Sequence, residues 1–335
     1  MQSRPRDLSD AVVAAAVSDG WKLPQTTARY QPVGYGSHHW LVEDTAGGRW
    51  FASVDELAED DPEASFDRLG AALAVAVTAR DTNLSFVVAP LRTPDGAVLR
   101  RLPKRYALAL YPYVTGQSGR FHDTLTSADG VELIGMLCSL HSVAQAVSMA
   151  SVGVRAETFA IPDRDRLEIA LADLDAVDGW PGPYGERLRS LLARHADDVH
   201  RTFREHDRLV AHAGPQEDRL VLTHGEPHPG NLIRTPEGLA LVDWGTALLA
   251  PPERDLWMLD ARTGGQTSAE YVIRSGCTLN PRLLSRYQLA WSLADLAIFV
   301  ELLRYTGEET ADTAWSWDAL QRTLHDLVTV PGTPR

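Results

Sequence analysis

The most chemically loaded stretch of the chain is Leu222-Thr-His-Gly-Glu-Pro-His-Pro-Gly-Asn231, followed by Leu239-Ala-Leu-Val-Asp-Trp-Gly245. A β-like run delivers His224 to a tight loop, Glu226 lies two residues on, and Asn231 five beyond that. Twelve residues further, past the turn Thr235-Pro-Glu-Gly238, Asp243 ends another short run. Phosphoryl transfer asks for this set of groups. A carboxylate must orient or deprotonate the attacking hydroxyl, and two oxygen ligands, such as an amide and a carboxylate, must hold Mg2+. Here one loop carries a carboxylate and an amide, and a second carboxylate faces them from the end of the paired strand. Singly, each is an ordinary polar residue; the combination carries the reading.

Such residues need elements to hold them. Residues 7–18 read as a short helix, and residues 29–33, 39–43 and 50–54 as strands joined by the turns Gly34-Tyr-Gly36 and Thr45-Ala-Gly-Gly48. Pro62 opens a helix to residue 79, with Phe66, Leu69, Leu73, Ala76 and Val77 at helical spacing. Residues 85–91 and 106–113 read as two more strands, separated by the turn Thr93-Pro-Asp-Gly96. After Gly116 the pattern is helical, over residues 125–147, 163–176, 183–210, 253–260, 281–305 and 315–328. Short strands at 220–223, 232–234 and 240–242 interrupt it, and residues 308–312 read as a loop. A small β-rich part before a larger helical one is an α+β arrangement. Tyr111-Pro-Tyr-Val-Thr-Gly116 is the natural hinge between residues 1–113 and 114–335.

The loop resembles that of the aminoglycoside phosphotransferase and choline kinase-like family of kinase-fold enzymes, which reads His-Gly-Asp-x-His-x-x-Asn, followed by Ile/Val-Asp-Trp or Asp-Phe. Ala250-Pro-Pro-Glu-Arg-Asp-Leu-Trp257 is similar to the stretch after that Asp, and Leu137-Cys-Ser-Leu-His141 looks like the family's Leu-His helix. With Tyr35-Gly-Ser-His-His-Trp40 near the start, the chain looks most like the spectinomycin phosphotransferase branch. The resemblance covers residues 25–305, and its specific part is residues 222–257. It implies a protein-kinase-like two-lobe fold. A small antiparallel-sheet N-lobe with one helix would bind nucleotide, and a larger, mainly helical C-lobe would hold the catalytic loop and the acceptor site. It further implies that Glu226 is the catalytic base, that Asn231 and Asp243 bind Mg2+, and that His224 and His228 shape the loop. Asp255 would brace that loop, and ATP or GTP would be the phosphoryl donor.

The chain departs from the family pattern twice. Glu226 stands where the family has Asp, which moves the carboxylate by about 1.5 Å, and such misplacement can cost on the order of 10²-fold in rate. Pro227 and Pro229 stiffen the loop around it. The second departure is larger. The family's third-strand lysine, which holds the α- and β-phosphates and pairs with a helix Glu, falls at Ser53 in Arg49-Trp-Phe-Ala-Ser-Val-Asp55. The chain's lysines are Lys22, before the first strand, and Lys104, just before the hinge strand; the helix offers only Glu63 at its first turn and Asp67 one turn later. A buried Glu without its lysine would be a costly unpaired charge, so the joint loss is coherent. Arg68 and Arg49 are the candidates to reach the phosphates instead.

Gly34-Tyr-Gly36-Ser37 has two readings. It is an ordinary hairpin, or Gly36 and Ser37 lay N–H groups and a hydroxyl over the phosphates. His38 and His39 are phosphate donors or plain strand residues. Residues 110–114 would present backbone groups to an adenine edge, with Tyr111 and Tyr113 either flanking it or serving as core aromatics. On the late helices, Asp260, Asp295 and Glu301, with Tyr287 and Trp291 near Asp295, form either a cradle for a protonated amine or a solvated acidic face.

Composition bounds these readings. The chain has 335 residues, and 32 basic against 45 acidic side chains leave a net charge of −13. At about 150 residues per domain, that length suggests two domains or lobes. With 44% hydrophobic and 23% charged residues the composition is that of a globular protein, not a disordered or collagen-like one. Two cysteines, Cys138 and Cys277, exclude a disulfide framework and a multi-cysteine zinc site. An acidic surface repels nucleic acid and suits a small cationic ligand. Neither a signal peptide nor a membrane span is visible, so no membrane partner and a cytoplasmic address are expected. The expectation is a Mg2+-dependent O-phosphotransferase using ATP or GTP on a small hydroxyl compound, an aminoglycoside or aminocyclitol antibiotic before others. The alternatives are a catalytically impaired kinase-fold binding protein and a kinase of a small metabolite. A protein substrate fits less well, because helix resumes within about ten residues of Asp243. Oligomeric state is not legible here.

Overall fold

The computed structural model describes residues 1–103, 105–146, 153–176, 179–214, 216–263 and 265–329. Lys104 and Val147, the expected end of one helix, lie outside the described residues. The chain divides into two compact units, Met1–Glu157 with Asp218–Leu279, and Thr158–Glu217 with Asn280–Arg335. The expected lobe boundary after residue 113 falls inside the first unit, which holds both the sheet and the His224–Asn231 loop. Among the described residues no helix is long and apolar enough to cross a membrane.

The first unit opens with α1 (Asp10–Trp21), β1 (Thr27–Gln31), β2 (Ser37–Glu43), β3 (Arg49–Glu56), α2 (Pro62–Asp81), β4 (Arg100–Leu102) and β5 (Tyr106–Pro112). The five strands pair antiparallel in the order β1-β2-β3-β5-β4. Successive strand side chains alternate between faces. Trp40, Val42, Ala52, Val54, Leu108 and Leu110 therefore share one core with Val13, Val17 and Trp21 of α1. Phe51, Ser53 and Asp55 take the opposite face of β3.

Two local expectations are corrected. Residues 7–18 do not bound α1: Ser9 caps it by accepting the Val12 N–H (3.3 Å), and it runs to Trp21, where Lys22 turns left-handed at φ 55°. Gly20 lies buried in its last turn, where a Cβ would make ordinary contact, 3.5 Å, with the Arg100 side chain. Residues 85–91 are not a strand. They make one parallel bridge, Val87 with Leu241, and Pro90 has no N–H with which to extend a ladder. Helix α2 begins where expected, with Pro62 in its first turn and the Asp61 carboxylate accepting the Ala64 N–H at 3.0 Å.

The chain continues through β6 (Gln117–Ser118) and α3 (Ser127–Ala146), then enters the second unit with α4 (Arg164–Ala172) and α5 (Gly185–Ala213). It returns to the first unit for β7 (Val221–Thr223), β8 (Leu232–Thr235), β9 (Gly238–Leu241), β10 (Leu248–Ala250), α6 (Glu253–Thr263) and α7 (Gln266–Ser275). It ends in the second unit with α8 (Pro281–Tyr305) and α9 (Ala311–Thr329). Strands β6, β8 and β9 form one small sheet and β7 and β10 another. The second unit is all helical in its core, where Leu167, Leu188, Leu192, Leu293, Leu296 and Leu320 meet. Asn280 caps α8 on the Arg282 N–H (3.0 Å). The expected loop at 308–312 ends early, because the Thr310 hydroxyl accepts the Thr313 N–H (3.2 Å) and α9 starts at Ala311.

Candidate active site

Strand β7 delivers His224, which has no exposed surface. Its Nδ1 accepts the Glu226 N–H (3.1 Å), and its Nε2 lies 2.9 Å from the Val242 carbonyl. That pattern assigns the ring proton to Nε2. Burial pushes the His224 pKa down, which keeps the ring neutral as the pattern requires. The imidazole thus ties the Glu226 loop to the strand end that carries Asp243. Its ring rests edge-on against Trp244, centroids 4.7 Å apart.

Asn231 closes a 3-10 turn over Pro229–Asn231. Its Nδ2 donates to the Glu226 carbonyl (2.9 Å), and its own carbonyl accepts the Val242 N–H (3.0 Å). With the amide nitrogen engaged, Oδ1 is the atom able to meet a cation. Asp243 follows in left-handed backbone at φ 66°, which Asp tolerates better than bulkier residues. Its pKa is raised, first by burial, while His224 and the Gly245 N–H pull the other way. Solvent still reaches the residue, although protein atoms crowd it elsewhere. Among the described residues no three His, Cys, Asp or Glu side chains form a metal cage. An amide oxygen and a carboxylate are hard donors that suit Mg2+ when substrate phosphates complete its shell.

The loop is braced from behind. Asp255, wholly buried on α6, accepts the His224 N–H at Oδ2 (2.9 Å) and the Gly225 N–H at Oδ1 (2.5 Å). Burial acts to raise its pKa, but the hydrogen bond from His141, with the Arg254 charge, outweighs it, and the net shift is down. Arg254, whose role sequence reasoning missed, donates to Thr223 Oγ1 (2.9 Å) and the Thr246 carbonyl (2.8 Å), across Gly225. His228 is buried, with Nε2 3.4 Å from Asn231 Nδ2 and 3.9 Å from Glu226 Oε2, and its ring meets Phe121 edge-on at 4.6 Å.

On the face of β3 opposite the core, Ser53, where the lysine is expected, hydrogen-bonds Asp55. Ser37 Oγ donates to Asp55 Oδ1 (2.7 Å). Burial pushes the Asp55 carboxyl up to about 6, and the Asp243 charge adds to the rise. The Tyr111 phenol is raised well above its usual value by burial and then by Asp55 and Asp243. Asp55 therefore belongs to this face, and its place two residues past Ser53 was the available signal.

Gly34 and Gly36 both turn left-handed, at φ 71° and 85°, and a Cβ on Gly36 would meet no atom. The two neighbouring histidines are engaged. His39 Nδ1 lies 3.0 Å from the Val33 carbonyl with its ring stacked on Phe51, and burial pushes its pKa down to about 4. His38 Nδ1 lies 3.3 Å from the Tyr30 hydroxyl. Arg49 sits over the Tyr113 ring (3.9 Å) and pairs with Glu43 (3.3 Å), at the hinge end of β3. Glu63 pairs with Arg101 at 2.6 Å. Arg68 is exposed on α2, beside Leu69, whose Cδ1 lies 3.5 Å from where Gly245 would carry a Cβ. At the hinge, the Leu110 carbonyl accepts the Leu91 N–H (2.7 Å) and the Tyr113 N–H reaches the Arg49 carbonyl (3.4 Å).

The residues assigned to an acceptor divide between the units. Asp260, in the first, accepts the Ser268 N–H (2.8 Å) and its hydroxyl, ordering the start of α7. In the second, the Trp291 indole donates to Asp295 one helical turn on, and burial pushes the Asp295 carboxyl up to about 7. Glu301 pairs with Arg166 (3.2 Å), and Arg286 lies over the Tyr287 ring (4.6 Å).

The chain is similar to known proteins. Protein StrN of Streptomyces griseus is 29% identical over 258 residues, which are 75% of each chain. A spectinomycin phosphotransferase, solved with ADP and spectinomycin, superposes with a TM-score of 0.75 at 16% identity, over 97% of this chain and 99% of that one. Amicoumacin kinase, solved with AMP-PNP, Ca2+ and Ami, gives 0.59 at 12% identity, over 96% and 93%. These likenesses show a kinase-like fold, with its small antiparallel sheet and larger helical part. Residues 27–299 match the model of the phosphotransferase enzyme family. With that match spanning most of its length, the chain belongs to the phosphotransferase enzyme family and is an enzyme of that class.

Proposed function

We propose that this phosphotransferase transfers the terminal phosphoryl group of ATP or GTP, with Mg2+, to a hydroxyl of a small cationic compound, an aminoglycoside or aminocyclitol antibiotic being the first class to test. One observation carries the reading. Asn231 bonds the Glu226 carbonyl through its side chain and the Val242 N–H through its own carbonyl, so Glu226, Asn231 and Asp243 form one connected unit. Glu226 then orients the acceptor hydroxyl and takes its proton. Asn231 Oδ1 and the Asp243 carboxylate would hold Mg2+, which would supply charge neutralisation at the phosphoryl oxygens. His224, His228 and Asp255 keep the loop in register.

The nucleotide lies against Gly36, Ser37 and Ser53, with its base between Tyr111 and Tyr113, in the lobe of residues 1–113. Arg68 supplies the positive charge that a strand lysine gives elsewhere, since Arg49 is engaged at the hinge. Support for a nucleotide donor comes from the ADP and the AMP-PNP in the two similar structures. Trp291 and Asp295 cradle the acceptor's protonated amine, and Asp260 contributes by ordering α7. The cytoplasm supplies the nucleotide.

The test is calorimetric titration with ATP and GTP, with and without Mg2+, on wild type and Asp243→Ala. Mg2+-dependent binding that the variant loses supports the site as drawn and directs a turnover screen to aminocyclitols, aminoglycosides and small amino alcohols. A folded protein that binds neither nucleotide overturns it.

A further inference from the structure

Behind the loop runs a buried chain of hydrogen bonds that ends on α7, far from the reacting groups in sequence. The Tyr271 hydroxyl lies 2.7 Å from His141 Nδ1, and His141 Nε2 lies 3.1 Å from Asp255 Oδ2. Tyr271, His141 and Asp255 are all buried, and Asp255 takes the N–H groups of His224 and Gly225.

The proton positions along this chain follow from its ends. Asp255 has its pKa held down and is a carboxylate, an acceptor only, so His141 Nε2 donates to it. A neutral imidazole with its proton on Nε2 has a bare Nδ1, and the Tyr271 hydroxyl is its partner there. The phenol is the donor, because burial raises its pKa and keeps it protonated. Asp255 alone already calls for the Nε2–H form; without the Tyr271 hydroxyl the buried Nδ1 that this form leaves bare loses its donor, and the ring is held by one bond instead of two.

We propose that Tyr271 is a positioning residue, whose hydroxyl holds the His141 ring, in the tautomer that Asp255 calls for, against the carboxylate that braces the backbone of the Glu226 loop. The proposal rests on that loop being the catalytic one, but its test needs no substrate. Nitrogen-15 NMR of the wild type, with the His141 signals assigned by their loss in His141→Gln, reads the tautomer directly. The expected result near neutral pH is a bare Nδ1 and a protonated Nε2. A proton on Nδ1, or an imidazolium, overturns the proposal whatever any variant does.

Tyr271→Phe is expected to shift the His141 Nδ1 signal as its hydrogen bond is lost and to speed hydrogen exchange at the Gly225 N–H by about tenfold, the effect of losing one net hydrogen bond. Val272→Gly loosens the same helix and keeps the hydroxyl, so the His141 signals should not move. Equal shifts in both variants would make the effect one of helix packing and overturn the proposal, as would a Tyr271→Phe protein with wild-type signals and exchange. A failed nucleotide titration, by contrast, overturns the functional reading and leaves the His141 signals where they are.

Discussion

At the scale of single residues, the decisive group is Glu226. Glu226→Gln removes the proton acceptor and keeps the shape, so single-turnover phosphoryl transfer should fall by about 10²- to 10⁴-fold while nucleotide affinity holds. Glu226→Asp restores the family's residue, yet the loop here is tied through the Glu226 carbonyl and N–H to Asn231 and His224. A shorter side chain on that fixed backbone retreats by about 1.5 Å, and the rate should drop on the order of 10²-fold. A gain in rate would show that the loop is not adapted to Glu. Asp295 gives a second test. Its carboxyl, pushed up to about 7, ionises only as pH rises through that value, so binding of a cationic aminocyclitol should tighten across neutral pH. Asp295→Asn should flatten that dependence in a binding titration.

The loop was legible at this scale because its groups lie within one short span, where residue type and spacing are visible together. Asp55 was not singled out, although counting by two along β3 from Ser53 leads to it. Tyr271 could not be found that way. Its partner His141 is 130 positions away, and only the packing of α3 against α7 brings them together.

At the scale of elements, legibility follows the strength of local signals. Helices α2 and α8 start where Asp61-Pro62 and Asn280-Pro281 say they should, because cap and proline act on adjacent residues. Strands β4, β6 and β10 are too short to show a period, and residues 85–91 carry strand-like side chains on a backbone that Pro90 interrupts. The turn at Gly225 shows how tightly two elements can constrain one residue. Its φ is 101°, and a Cβ there would come within 2.5 Å of the Arg254 guanidinium on α6. Gly225→Ala should therefore lower stability by about 1–3 kcal/mol, seen as a drop in melting temperature. Part of that loss comes from pushing Arg254 off Thr223 and Thr246. The double variant with Arg254→Ala should then be less destabilised than the two single losses added together.

At the scale of the whole molecule, length and the two contrasting composition regimes suggested two parts, and the resemblance suggested their fold. The interleaving of the compact units was not legible, because a scan along the chain cannot see residues 218–279 return to the first unit. Besides Asp243 of the candidate site, each unit holds one raised carboxyl among the described residues, Asp55 in the first and Asp295 in the second. Both ordinarily titrate near 3.8, and folding lifts them to about 6 and about 7. Between those limits the folded chain binds more protons than the unfolded one. Each group's contribution to stability is therefore full below about pH 4 and is lost as pH rises through the raised value. Both residues line proposed ligand sites, so the stability given up at neutral pH keeps charge available for function. Scanning calorimetry between about pH 4 and 8 tests this: Asp295→Asn should raise the melting temperature at the alkaline end and leave the acid end unchanged. Asp55→Asn should act likewise over a window that closes near pH 6. A variant that gains equally at every pH would owe its gain to packing, and the link between ionisation and folding would fail.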